Sequence, residues 1–446
     1  MGVFRYIALV FGLAFALLVP PFQSPDEPAH WKRAYALSEG QWIARQQEQR
    51  LGLELPRSLD AVIDSFQYLK NDYSAQLSMP RWQQCRAIPL ASSERHFSDL
   101  ANTGFYAPFG YLPQALGIAI GRFFGASALD LLYWARIFNV LSWLLLLESA
   151  FAGPHFLLRS LQVFCLFPAV LVLSASANPD VAVFGVFVLL FMRWTRNPDA
   201  PRTPPRRMLE LLLFALICAQ KIIVWPLVLL TRRRYGTALA GLLAIACWGW
   251  YSNGLFIPYD AYDPAVRDFQ TLNPGVHPAA QAHWVLAHPV DFFWNTGRSL
   301  LESLPSTLAH LSVKFGWEKN YLPAWLMGIL FGALGLATST TEWGMRNGEY
   351  GIFMRMRAAL AIALYVAGFA FTMYLLWHPV GAATISNWQG RYFFMAVPLF
   401  LLLIENDKLS PFFKEKNAFY LKMALNGVLI FANVYMAFAI VMRYWD

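Results

Sequence analysis

The sequence predicts an all-α polytopic membrane protein of about eleven transmembrane helices, with an external layer of amphipathic helices and loops. Three observations lead there. Of 446 residues, 57% are hydrophobic and 14% charged, whereas soluble chains average about 45–50% and about 25%. Apolar runs close to the ~20 residues that cross a bilayer recur along the chain. The short connections between them carry Lys and Arg in clusters, the bias that orients membrane proteins. An aromatic share of 16% suits a chain with two interfaces, where Trp and Tyr settle at headgroup level.

The first run is 4–22. Arg5 before an apolar stretch would suit a signal peptide, but the run ends in Val19-Pro20-Pro21-Phe22 without a small-residue cleavage site, so it reads as an uncleaved span. Further runs are 128–150, 155–173, 179–195, 236–257, 321–340, 358–377, 391–404 and 418–442. Segment 208–230 differs, because Gln220-Lys221 interrupts it and basic loops flank both ends. One loop holds Arg193, Arg196, Arg202, Arg206 and Arg207, the other Arg232-Arg233-Arg234. Both belong on the cytoplasmic side, which a single span cannot satisfy. The segment is therefore predicted to be a hairpin of two short helices with Lys221 near its tip, a break tolerated where backbone lines a protein cavity.

The remaining sides follow. Loops 341–357 (Arg346, Arg355, Arg357) and 405–417 (Lys408, Lys414, Lys416) fall inside; 23–103, 258–320 and 378–390 fall outside. Residues 105–124 are apolar but contain Pro108, Pro113 and Arg122. Were they to span, the five-arginine loop would be external, so they are expected to lie in the outer interface. The N-terminus is then inside and the C-terminus outside. The chain reads as one domain, 1–446, whose external parts are 23–124 and 258–320.

Several function classes lose support. The net charge of +8 resides in orienting loops, which argues against nucleic acid. Cys85, Cys165, Cys218 and Cys247 form no CxxC and suggest no disulfide. There is no GxxxxGK[ST], GxGxxG or GxSxG, so ATP-driven transport and the common hydrolase layouts are disfavoured.

Four constellations carry chemistry. Pro25-Asp26-Glu27-Pro28-Ala29-His30 places two carboxylates and a histidine where the chain leaves the bilayer. They could act as a general base or hold a divalent cation; an Asp helix cap with Pro28 in the first turn is the competing reading. Ser176-Ala177-Asn178-Pro179-Asp180 could be a site or an Asn-capped helix start. Lys221, charged at membrane depth, is expected to contact an anion, or to snorkel. Gln389-Gly390-Arg391-Tyr392-Phe393 offers a planar guanidinium fork suited to phosphate, or an interfacial anchor. Arg136, inside 128–150, is expected to pair with an inward carboxylate; Lys314 and Trp317 stand just before 321–340; His277, His283 and His288 lack metal-ligand spacing.

In this order, and with Tyr106-Ala107-Pro108-Phe109-Gly110-Tyr111-Leu112-Pro113 and Ala135-Arg136-Ile137-Phe138-Asn139, these pieces resemble domain-of-unknown-function family 2142, bacterial predicted membrane proteins grouped with the GT-C glycosyltransferases. The resemblance implies a GT-C-like fold in the bacterial inner (cytoplasmic) membrane. It also implies an integral membrane glycosyltransferase, with an active site facing the periplasm or cell exterior. Such an enzyme would move a sugar, with inversion of the anomeric centre, from a polyprenyl-phosphate donor to a cell-surface glycan or lipid-linked acceptor, without a nucleotide. Asp26 and Glu27 would be catalytic; His30 and Asp180 would bind acceptor or metal; Lys221, Arg391, Gln389 and Arg136 would bind the donor phosphate. A divalent cation, Mg²⁺ or Mn²⁺, would sit on Asp26 and Asp180 if one is used. Two other classes stay open: a polymerase or ligase of lipid-linked glycans, and a flippase or transporter of lipid-linked sugars. The latter would favour midplane charges and inverted repeats, and no repeat is visible.

Overall fold

The computed structural model describes residues 2–196, 203–231, 234–266, 274–317, 320–340, 349–406, 408–413 and 416–446. Arg202, Arg232, Arg233, Arg346 and Lys414, which carry part of the orientation argument, lie outside them. The chain is mostly helical. Among the described residues three helices are long and apolar enough to cross a membrane, Ala128–Ala150, Gly351–Trp377 and Asn417–Tyr444. Gly2–Leu18 and Ala324–Thr338 are apolar but shorter.

The body is built on antiparallel pairing of Gly2–Leu18 with Ala128–Ala150. Arg5 near the start of Gly2–Leu18 bonds Glu148 near the end of Ala128–Ala150, at 2.9 and 2.5 Å. The C-terminal end of the first helix therefore meets the first turns of its partner. There, Arg136 donates to the carbonyls of Ala16, Val19 and Pro20 at 3.1, 2.6 and 3.0 Å. These are the carbonyls that a helix leaves unpaired at its C-terminus. One guanidinium thus ends the first helix and turns the chain toward residue 26.

Three expected elements appear in altered form. Run 155–173 is two helices, Leu158–Cys165 and Pro168–Ser174, because Pro168 has no N–H to continue the ladder and restricts the residue before it. Segment 208–230 does break at its polar pair: helix Pro204–Gln220 ends, Lys221 is extended, and a 3₁₀ segment Ile222–Leu230 follows. Residues 112–123 form one helix of 12 residues, about 18 Å long. It is too short to cross a bilayer, and it leaves Leu116, Phe123 and Phe124 bare.

Segment 23–124, expected to be external, is not purely helical, which corrects the all-α expectation. Arg45–Gln47 (β1), Arg50–Pro56 (β2) and Arg95–Asp99 (β3) form an antiparallel sheet in the order β1-β2-β3, with Leu53 opposite Ser98. Glu48 and Gln49 both take positive φ, 48° and 58°, the twist a tight hairpin requires. Leu51, Leu53 and Leu55 are buried at the strand period of two. With Trp31, Tyr35, Leu59 and Phe66 they form a second core that packs on the first turns of Ala128–Ala150. Segment 258–320 contributes helices Pro278–Ala287 and Pro289–Ser312.

Candidate functional site

Asp26 stands at the entry to helix Glu27–Ser38 with φ 63°, left-handed for a residue that is not glycine, and its side chain makes no cap hydrogen bond. That removes the helix-cap reading. Its carboxylate accepts instead from Arg391 Nη2, which also donates to Tyr392 Oη at 3.1 Å, while Nη1 donates to the Pro25 carbonyl at 3.3 Å. Asp26 and Arg391 are 365 positions apart. The Asp26 side chain keeps 45% of its surface open while protein surrounds it on most sides, as for a group that lines a recess. Burial pushes this carboxyl up, but Arg391 and the neighbouring positive charge outweigh it and hold it below the usual range.

A second ion pair lies beside the first. Lys221, at the break between helix Pro204–Gln220 and the 3₁₀ segment, meets Asp180 at 2.7 Å, both side chains nearly buried. Its ammonium is 5.4 Å from the centre of the Tyr392 ring, so Tyr392 touches the cations of both pairs. Asn178 is the helix cap that the competing reading foresaw, accepting from Asp180 N at 2.9 Å. That cap fixes Asp180 at the mouth of helix Asp180–Arg196.

His30 closes the ring. Its Nδ1 is 2.9 Å from Tyr111 Oη, and its ring stacks near Tyr106. Burial, only partly opposed by Asp26 and Asp180, lowers the imidazole to about 4, so His30 is neutral at physiological pH. Gln220 Oε1 accepts from Gly110 N at 3.3 Å, which fastens the Tyr106–Tyr111 segment to the same break. Gly110 is required here, since a Cβ would come within 2.9 Å of Pro179.

The structure therefore gathers Asp26, His30, Asp180, Lys221 and Arg391 at one place, at the C-terminal end of the first helix. It does not gather Glu27 with them. Both Glu27 and Arg136 have fully buried side chains and pair at 2.6 Å. Glu27 also accepts from Phe22 N and Ala177 N, at 3.1 and 3.0 Å. The expected pairing of Arg136 with an inward carboxylate is met by Glu27. The roles of Glu27 beside Asp26, and of Arg136 on the donor phosphate, are corrected: both point away from the recess into the protein. Helix geometry explains this, since adjacent residues at a helix start project about 100° apart. Gln389 spends its amide on Asn387 Oδ1 at 2.6 Å, inside a turn where Asn387 has φ 69°.

Nor do Asp26 and Asp180 make a cation cage. Among the described residues no group of three or more His, Cys, Asp or Glu could hold a metal ion, and each carboxylate already faces a cation. Sequence reasoning missed Tyr106, Tyr111 and Tyr392 as walls of the site, although all three lie inside the motifs it singled out. It also missed the supporting network in which Asn139 bonds the Ser176 and Asn178 carbonyls at 2.7 and 3.1 Å, and Gln114 at 3.1 Å.

A family model described as a predicted membrane protein matches residues 9–403. No curated protein and no solved structure matches the chain.

Proposed function

This chain belongs to that family, DUF2142, predicted membrane proteins, and from that premise we propose that it is a GT-C-type glycosyltransferase. In this reading it transfers a sugar from a polyprenyl-phosphate donor to a glycan or lipid-linked acceptor on the outer face of a bacterial inner membrane. The observation that carries the reading is the convergence of Asp26 and Arg391, from opposite ends of the sequence, in one partly open recess.

The chemistry is a single inverting displacement. The acceptor oxygen attacks the anomeric carbon and its proton passes to Asp26, which is ionised because Arg391 depresses its pKa. The bond between the anomeric carbon and the phosphate oxygen breaks, and the electron pair leaves with the phosphate. Arg391 turns from Asp26 to that phosphate, where negative charge develops. This frees the Asp26 carboxylate as the donor binds. Neutral His30 orients the acceptor hydroxyl, and the Asp180–Lys221 pair presents its ammonium toward the same anion. Nothing in the scheme needs a nucleotide or a divalent cation.

Asp26→Asn tests it. Asn tolerates the left-handed backbone and keeps the shape, but it cannot take the proton. With labelled polyprenyl-phosphate sugars and purified protein, transfer should fall by about a hundredfold or more, while the unfolding midpoint drops by no more than the loss of one partly exposed ion pair, about 1 kcal/mol. Full transfer by Asp26→Asn removes Asp26 as the base.

A further inference from the structure

Beside the recess, with Arg391 in its wall, lies a cleft of about 60 Å³. It has room for the centres of about four waters. Four segments bound it: Ser24–Pro25, helix Pro168–Ser174, the end of helix Pro289–Ser312 with the residues after it, and Gln389–Phe394. One side is apolar, with Ala169, Val172, Leu173 and Phe394; the other carries Arg391 and Lys314, and among the described residues no carboxylate lines it. The Arg391 Nε–H is buried without an acceptor among the described residues, a donor that a folded protein seldom strands. His310 packs between the two cationic segments: its Nδ1 accepts from Gly390 N at 3.3 Å, its Nε2–H then faces Tyr321 Oη at 2.6 Å, and Lys314 Nζ lies 3.2 Å from that nitrogen.

Helix Pro289–Ser312 places this cleft in depth. Phe292, Thr296, Ser299, Thr307 and Leu311 are buried against the protein. A second stripe, Val290, Phe293, Trp294, Leu301 and Leu304, is apolar and bare. A third, Asp291, Arg298 and Glu302, is charged and exposed. A helix with one bare apolar stripe beside one charged stripe lies along a membrane–water interface. Its C-terminal end, which walls the cleft, then sits at the level of lipid phosphates.

We infer that the cleft binds the phosphate of a single-chain isoprenoid lipid between Arg391 and Lys314, with the first isoprene units against Ala169, Val172 and Phe394. The inference rests on the transferase reading and assigns its donor site to Lys314 in addition to Arg391. The Arg391 Nε–H supplies one bond to the phosphate, and the packing of Gly390 on His310 sets Arg391 beside Lys314.

Farnesyl phosphate, farnesol and inorganic phosphate, each titrated into the purified full chain in nanodiscs, test it. Farnesyl phosphate should bind tightest of the three. Lys314→Gln and Arg391→Gln should each weaken it about tenfold or more, Lys314→Arg should restore it, and Lys422→Gln should leave it unchanged. A farnesyl phosphate bearing a diazirine on its chain should label residues 169–173 or 394, a readout that survives if a variant misfolds. Equal affinity for farnesol, equal affinity for inorganic phosphate, wild-type affinity in Lys314→Gln, or labelling confined to other segments overturns the inference. Sugar transfer that persists unchanged in Lys314→Gln at subsaturating donor removes the cleft and leaves the transferase standing. Binding at the cleft with no transfer from any polyprenyl-phosphate sugar removes the transferase and leaves the cleft.

Discussion

Replacing Glu27 by glutamine separates a catalytic carboxylate from a structural one. In the folded chain the two Glu27 oxygens accept four hydrogen bonds: Arg136 Nε at 2.8 Å and Ala177 N at 3.0 Å on one, Arg136 Nη2 at 2.6 Å and Phe22 N at 3.1 Å on the other. Glutamine keeps one oxygen and so satisfies one pair of donors. Its amide nitrogen then faces the other pair, donor against donor, and each orphan costs about 1–3 kcal/mol. Arg136, fully buried, also loses its counter-charge. Breaking a buried pair from one side costs about 3–5 kcal/mol in total, a large share of the stability of most proteins. The consequence spreads to the site, because Arg136 holds the carbonyls of Ala16, Val19 and Pro20 and thereby the turn that presents Asp26. Unfolding midpoints in a denaturing-detergent titration should fall by the equivalent of those kcal/mol. The double variant Glu27→Gln/Arg136→Met should recover part of the loss, since replacing both charges relieves the unpaired one. A Glu27→Gln protein with wild-type stability and no transfer would refute this account and move Glu27 into the chemistry.

Two further outcomes follow from distances and charges at the site. Arg391→Gln removes the main charge that opposes burial at the Asp26 carboxyl, leaving only the weaker pull of His30 and Lys70, so that carboxyl titrates higher. The acid limb of the transfer rate should then move to higher pH, and Arg391→Lys should return most of it; an unmoved limb in Arg391→Gln would mean that the limb belongs to another group. The linkage has the same sign: the stability that Asp26 adds is present above its unfolded pKa of about 3.9 and is lost as pH falls through its lower folded value. Gly390→Ala should destabilise by about 1–3 kcal/mol and weaken donor binding, because a Cβ there would lie 2.5 Å from Leu311 N and 2.6 Å from the His310 carbonyl carbon, backbone atoms that cannot rotate aside. Wild-type stability in Gly390→Ala would contradict the packing of that segment on helix Pro289–Ser312.

The sequence by itself determined what depends on one stretch of chain at a time. Apolar runs and scarce charge made the chain a membrane protein, in agreement with the family it belongs to. A lysine in the middle of an apolar segment marked a helix break, and the chain does break at Lys221. Prolines and Arg122 marked 105–124 as unfit to span, and its helix is short. Two local signals were read past: alternation of Leu51, Leu53 and Leu55 gives a strand in a segment expected to be helical, and Pro168 divides a run that hydropathy alone counts as continuous. Only the tertiary structure decided which charge meets which. Asp26 and Glu27 are neighbours of the same chemistry, yet one faces a recess and Arg391 from 365 positions away, while the other is sealed against Arg136, 109 positions away. The physical reason is that a buried carboxylate takes its identity from its counter-charge and from the water left around it. Both are properties of packed helices, which a linear pattern of residue types does not contain.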